Sequence, residues 1–190
     1  TWYNIRTGTT QHMPKPVDGA ISTIEQADGG HFFIGTGSGL FCVGIEKGEL
    51  KQIPDEVVKS IVTPVHELYY HTVSKQLFVG SYKEGILIYD IGKPQKITPC
   101  YAPNNVEVNQ IVALNADELL IATGGKGVYK LNVNTCKSEP YITADYSSYN
   151  GMNGNNINDI YVDEEERIWL ANYPTGITIR NNRYGRYDLI

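Results

Sequence analysis

Apolar and polar residues alternate along this chain in short runs, and glycine- and asparagine-rich turns separate the runs. Alternation at period two is the mark of half-buried strands. The runs fall into sets of four. The first set is Ile21–Gln26, Phe32–Thr36, Leu40–Ile45 and Glu49–Ile53; the last is Ile157–Val162, Ile168–Asn172, Ile177–Arg180 and Arg186–Ile190. Between them lie His66–Tyr70, Leu77–Ser81, Ile86–Asp90 and Gln95–Thr98, then Val108–Leu114, Leu119–Thr123, Val128–Asn132 and Ser138–Ile142. Asp28-Gly29-Gly30 and Glu46-Lys47-Gly48 supply residues that tolerate positive φ, as tight hairpin turns require. Helical periodicity is confined to Asp55–Ser60, just before Pro64. The pattern predicts an all-β chain.

In each set the second run closes on a small residue, Gly35, Gly80, Ala122 or Ala171, spaced 45, 42 and 49 positions apart. The glycines that open the third run, Gly39, Gly85, Gly127 and Gly176, keep step at 46, 42 and 49. A period in the mid-forties built from short strands is the signature of β-propeller blades. The predicted organisation is blade 1 over 20–64, blade 2 over 65–106, blade 3 over 107–154 and blade 4 over 155–190. Convergence on a central axis explains why the closing residue is small, so these eight positions and Trp169 are assigned structural roles. Trp2–Ile5 also reads as a strand with no place in the four repeats. Residues 1–19 are therefore expected to be the outermost strand of a preceding blade plus a linker. The whole is expected to be a segment of a larger propeller of about seven blades, open at two flanks and prone to self-association through them.

Composition narrows the partners. The net charge of −5 leaves no basic stripe, which argues against nucleic acid and anionic membrane surfaces. No run approaches the ~18 apolar residues of a membrane span, so direct membrane insertion is not expected. The chain opens on Thr1 with no signal-peptide pattern, as expected of a mature product or an excised segment. Cys42, Cys100 and Cys136 include no C-x-x-C pair, which gives zinc or redox motifs no support. Cys100 and Cys136 can pair only if both lie on one edge of adjacent blades.

The fourth repeat carries the most specific text: Asn150-Gly151-Met152, Asn156-Ile157-Asn158-Asp159-Ile160-Tyr161-Val162-Asp163, Ile168-Trp169-Leu170-Ala171-Asn172 and Gly176-Ile177. It resembles the two-component regulator propeller repeat, with N-G-L, N-x-V-x-x-I-x-x-D, L-W-I/V-G-T and G-L in order. The first repeat matches through Asp28-Gly29-Gly30, Phe33-Ile34-Gly35-Thr36 and Gly39-Leu40; the middle two are weaker, Leu120 standing where the aromatic residue belongs. The resemblance implies a periplasmic sensor segment of a hybrid two-component receptor. A membrane helix and a histidine kinase would lie elsewhere in the parent, and the ligand would be an oligosaccharide. The remaining blades and receptor domains would be its partners.

Candidate chemistry is sparse. His66 and His71 are five apart rather than four, so they miss the H-E-x-x-H spacing of a helical zinc site. Five apart on a strand, they are expected on opposite faces. The run Gly35-Thr36-Gly37-Ser38-Gly39 lacks the spacing and following helix of a phosphate loop. Asp163-Glu164-Glu165-Glu166 reads as a solvated hairpin turn, with weak calcium binding as the other reading. No catalytic arrangement, metal site or cofactor is expected. Fourteen tyrosines are many for this length, and rings that stack on sugar faces beside amide side chains suit a carbohydrate. Tyr146, Tyr149 and Asn150 in an inter-blade segment, and Tyr82 and Tyr173 just past the small-residue positions, are the candidate ligand contacts. A non-enzymatic interaction or structural propeller of the cell envelope is the second reading. A propeller lyase is the third, and His12, His31, His66 and His71 form no cluster for it.

Overall fold

The computed structural model describes residues 2–12, 20–47, 49–91, 97–100, 105–147, 152, 154–181 and 186–189. Strands β1 (Trp2–Asn4) and β2 (Thr9–Gln11) pair as an antiparallel hairpin. Four antiparallel sheets follow, each a simple meander of four strands. The first holds β3 (Ile21–Gln26), β4 (His31–Thr36), β5 (Gly39–Glu46) and β6 (Glu49–Gln52). The second holds β7 (Val65–His71), β8 (Gln76–Ser81), β9 (Ile86–Asp90) and β10 (Ile97–Cys100). The third holds β11 (Val108–Ala113), β12 (Glu118–Thr123), β13 (Val128–Asn132) and β14 (Ser138–Ile142). The fourth holds β15 (Ile157–Val162), β16 (Arg167–Asn172), β17 (Gly176–Asn181) and β18 (Arg186–Leu189). This is the all-β, blade-by-blade architecture that the period predicts. The leading strands β3, β7, β11 and β15 lie beside one another in that order, as inner blade strands do.

Trp2–Asn4 differs from expectation. It pairs with Thr9–Gln11, a polar stretch that the hydrophobic pattern passes over, so the segment before Ile21 supplies two strands rather than one outermost strand. Its Gln11 side chain accepts a hydrogen bond from the Leu50 amide on β6 (3.0 Å). The Asp55–Ser60 stretch forms one helical turn, α1 (Glu56–Lys59), because the Asp55 carboxylate caps the Val57 and Val58 amides at 2.9 and 3.0 Å. Its other oxygen accepts the Tyr89 hydroxyl, which ties this turn to the second sheet.

The core is split into three clusters, one at each junction between successive sheets. Phe33, Leu40, Val58, Ile61, Val65 and Leu68 fill the first; Phe78, Ile86, Val108 and Ile111 the second; Leu120, Val128, Ile157 and Ile160 the third. The first two junctions share one knob. The first residue of one inner strand presses on the small residue of the previous sheet. A Cβ at Gly35 would lie 2.6 Å from the Val65 side chain, and one at Gly80 would lie 2.7 Å from that of Val108. Their smallness thus comes from the neighbouring blade at the side, a correction to convergence on the central axis as the reason. Gly39, Gly85, Gly127 and Gly176, at or just before the start of the third strands, all have positive φ, and at two of them the chain crosses closely. A Cβ at Gly39 would meet the Ile61 carbonyl at 2.2 Å, and at Gly127 the Ile142 carbonyl at 2.3 Å.

Each inner strand carries a bulge at its second residue: Ser22, His66, Asn109 and Asn158. The bulge re-aims polar side chains across the junctions. Ser22 donates to the Val65 carbonyl, and Asn109 donates to that of Ile157 (2.7 Å). The next residue reaches the neighbouring strand's amides. Glu67 accepts from Ile111, and Gln110 from Ile160. Cys100 and Cys136 meet across the second junction, where the Cys100 thiol donates to the Cys136 carbonyl (3.1 Å); all three cysteines are free thiols.

Candidate functional site

In every sheet the first and third strands begin, and the second and fourth end, on one side. The connections on that side therefore share a face. Tyr82, Tyr146 and Tyr173 all lie on it and are exposed at 48, 77 and 61 %. Tyr149 and Asn150 fall outside the described residues.

One of these tyrosines lines a cleft. Between the second and third sheets, Tyr82, Lys83, Asn105, Val106, Glu107 and Gly124 surround about 230 Å³. The bulge on β7 turns His66 toward this cleft, where its Nδ1 lies 2.8 Å from Glu107 Oε1. The imidazole also faces the Tyr82 ring, 6.0 Å between centroids and tilted by 34°. The Gly124 amide donates to the Glu107 carbonyl (2.9 Å), and the Asn105 amide to that of Lys83 (3.1 Å). A Cβ on Gly124 would stand 3.3 Å from the Glu107 Cβ, so glycine keeps the floor low. An exposed ring, an imidazole–carboxylate pair, an amide and an ammonium thus converge on one opening. Such a set can stack on an apolar ligand face while it exchanges hydrogen bonds with hydroxyls. Tyr146 and Tyr173 share the face but do not line this cleft. Tyr173 is held by its amide, which donates to the Asn156 carbonyl (2.9 Å).

A larger hollow of about 530 Å³ lies at the opposite end of the third sheet, lined by Glu118, Lys130, Asn132, Lys137 and Glu139 among others. Its Lys130 ammonium is engaged by Glu118 at 2.9 Å and lies over the Tyr141 ring. It offers no exposed aromatic wall. His71 is also committed, its Nε2 donating to the Ala116 carbonyl (3.0 Å) while Nδ1 accepts from Ser74 (2.8 Å). The two histidines therefore take separate partners.

The acidic run is more ordered than a solvated turn. Asp163 accepts from the Glu165 and Arg167 amides (3.1 and 2.9 Å), from the Arg167 guanidinium (2.7 Å) and from the Trp169 indole (2.8 Å). Burial raises its pKa, but the indole and the arginine outweigh that and hold it at about 2. Along the inner strands, burial pushes the Glu67 carboxyl up to about 7. The Ile111 amide opposes this, while Glu25 and Asp159 add to it. Glu107 and Glu67 were not singled out by the sequence pattern. The available signal is their place at the start of successive inner strands once the repeats are aligned.

Residues 151–173 match the family model of the two component regulator propeller. No curated protein matches the chain. Among solved structures, it is similar to the extracellular domain of the hybrid two component system BT4673 from B. thetaiotaomicron. That match has a TM-score of 0.67 and 24 % identity, over 84 % of this chain and 21 % of that one. A second structure of the BT4673 extracellular domain, described as a one component system, gives 0.72 and 22 % over 93 % and 24 %. The extracellular domain of the hybrid two component system BT3049 from the same organism gives 0.71 and 16 % over 92 % and 25 %. The chain thus carries the two-component regulator propeller repeat and has the fold of these extracellular domains. It spans a quarter or less of their length.

Proposed function

We propose that this chain is a ligand-sensing segment of the extracytoplasmic propeller of a hybrid two-component receptor in the periplasm. The ligand is an oligosaccharide, and binding is relayed to a transmembrane histidine kinase carried by the parent. The observation that carries this is the regulator-propeller repeat at 151–173 on a fold shared with receptor extracellular domains. The Tyr82 cleft is the place for the ligand: the ring stacks on a pyranose face, and Glu107 and Asn105 exchange hydrogen bonds with its hydroxyls. Binding shifts the population between two arrangements of the blades, and no bond is made or broken in this chain.

Binding of a panel of oligosaccharides, measured by glycan array and then calorimetry, tests the proposal. A sugar bound by the wild type is expected to bind Tyr82→Ala at least about tenfold more weakly, the equivalent of ~1.4 kcal/mol. Binding unaffected by Tyr82→Ala would move the site elsewhere. A protein partner with no sugar bound would favour the interaction-propeller reading.

A further inference from the structure

Two of the three cysteines meet where the outer strands of the second and third sheets come together. Cys100 ends β10, the fourth strand of the second sheet, where it pairs with Ile86 on β9. Cys136 stands in the turn between β13 and β14 of the third sheet. The Cys100 thiol lies 3.1 Å from the Cys136 carbonyl and is hydrogen-bonded to the Cys136 side chain as well. Both pack in the second core cluster, Cys100 fully buried and Cys136 partly so. Cys42 belongs to the first cluster, one junction away. The turn that carries Cys136 is held firmly. The Asn132 side chain accepts from the Asn134 and Thr135 amides (3.1 and 3.0 Å) and from the Thr135 hydroxyl (3.0 Å). The Cys136 amide donates to the Asn132 carbonyl (2.9 Å), and the Asn134 side-chain amide donates to Asp117 (2.8 Å). These bonds sustain a left-handed backbone at Cys136, with φ of 55°.

We propose that Cys100 and Cys136 are an oxidation site, forming a disulfide that clips the outer strands of the second and third sheets together. Val108 seated on Gly80 joins the same two sheets at their inner strands, so the clip fixes the junction from its other side. Cys136 lines the hollow of about 530 Å³, where a small oxidant can reach it. Burial and the neighbouring Cys136 hold the Cys100 thiol well above its usual range. Exchange therefore starts at Cys136, whose thiolate attacks an external disulfide such as oxidised glutathione and releases one thiol. Cys100 then gives up its proton and attacks the Cys136 sulfur of that mixed disulfide, expelling the second thiol. Two protein thiols are oxidised, the external disulfide is reduced to two thiols, and the two protons pass to them. The extracytoplasmic location proposed above supplies oxidants of this class. The test supplies its own oxidant and uses no sugar, so this proposal and the receptor reading fail separately.

The folded chain is incubated with oxidised glutathione, blocked with N-ethylmaleimide in urea, digested with trypsin and read by mass spectrometry. Cys100 and Cys136 fall on separate tryptic peptides, residues 97–126 and 131–137. The expected product joins these two peptides, is lighter than their sum by two hydrogens, and leaves Cys42 as the one blocked thiol. The bond spans 36 positions, and closing a loop of that length is expected to raise the melting temperature by about 5–10 °C over the reduced protein. Cys136→Ser, at the less buried partner, is expected to abolish both the link and the difference between oxidised and reduced protein. Three blocked cysteines after oxidation, a glutathione adduct at Cys136 that never closes, or a link that forms only in urea would each overturn the proposal. So would a link that leaves the melting temperature unchanged, or a disulfide-bonded dimer through Cys136, which would assign that thiol to a second copy.

Discussion

Replacing Gly80 with alanine isolates the knob that joins the second and third sheets. The new methyl would sit 2.7 Å from Val108 Cγ1 and 3.1 Å from its Cβ, inside van der Waals contact, and Val108 is fully buried. Overpacking of this kind costs about 1–3 kcal/mol, offset by the ~0.5–1 kcal/mol that alanine gains over glycine in a strand. The expected net loss is about 1–2 kcal/mol. Val108→Ala removes two buried methyl groups, ~1.6 kcal/mol of transfer plus a cavity contribution, about 2–3 kcal/mol together. In the double variant the methyl added at position 80 occupies the space that Val108 vacates. The two changes should therefore couple favourably by ~1–2 kcal/mol. Urea midpoints at constant slope give all four corners of the cycle. Gly37→Ala serves as the control, because nothing lies within 4 Å of a Cβ there. Additive losses, or a Gly80→Ala variant as stable as wild type, would refute the side-by-side packing account.

Three further outcomes follow from the titrating groups. Because the folded Glu67 carboxyl titrates near 7 rather than in the ordinary range, its contribution is full below about 4.5 and is lost as pH rises through 7. Glu67→Gln, which copies Gln110 in the next sheet, should melt higher than wild type at pH 8 and equal to it at pH 4; a difference independent of pH would contradict this. Asp163 has the opposite sign: its stabilisation is present above the ordinary carboxylate pKa and is lost as pH falls toward 2. Asp163→Asn should lower the melting temperature at pH 7 and shift Trp169 emission, the gap closing by pH 2, and calorimetry across that range decides it. The Cys42 thiol, pushed up to about 11 by burial and by Asp55, should stay unalkylated by iodoacetamide at pH 8 in the folded protein and react in urea. Native-state modification at Cys42, seen by mass spectrometry, would contradict its burial.

The strand positions were legible because alternation and turn chemistry agree along most of the chain. Ile21–Gln26, Ile86–Asp90, Val128–Asn132, Ser138–Ile142 and Ile157–Val162 fold over the residues the pattern marks. What escaped has physical causes. Thr9–Gln11 has no apolar residue to signal a strand and forms only by pairing with Trp2–Asn4. The bulges at Ser22, His66, Asn109 and Asn158 shift the facing of a polar residue by one position, which a period-two reading does not register. That shift is what brings His66 onto Glu107, two residues 41 positions apart whose chemistry becomes visible only when two blades are side by side. Tyr82 is a candidate from the sequence because it stands just past Gly80, and it lines the cleft between the second and third sheets. Its imidazole and carboxylate neighbours come from other strands, so nothing local marks them.

The most direct test of the receptor account is the intact mass and domain content of the polypeptide that carries this chain in its source cell. The account predicts that the polypeptide continues past Ile190 through further blades into a membrane helix and a histidine kinase. A polypeptide that ends within a few blades of Ile190 would contradict it and leave a free-standing propeller whose partner is another protein.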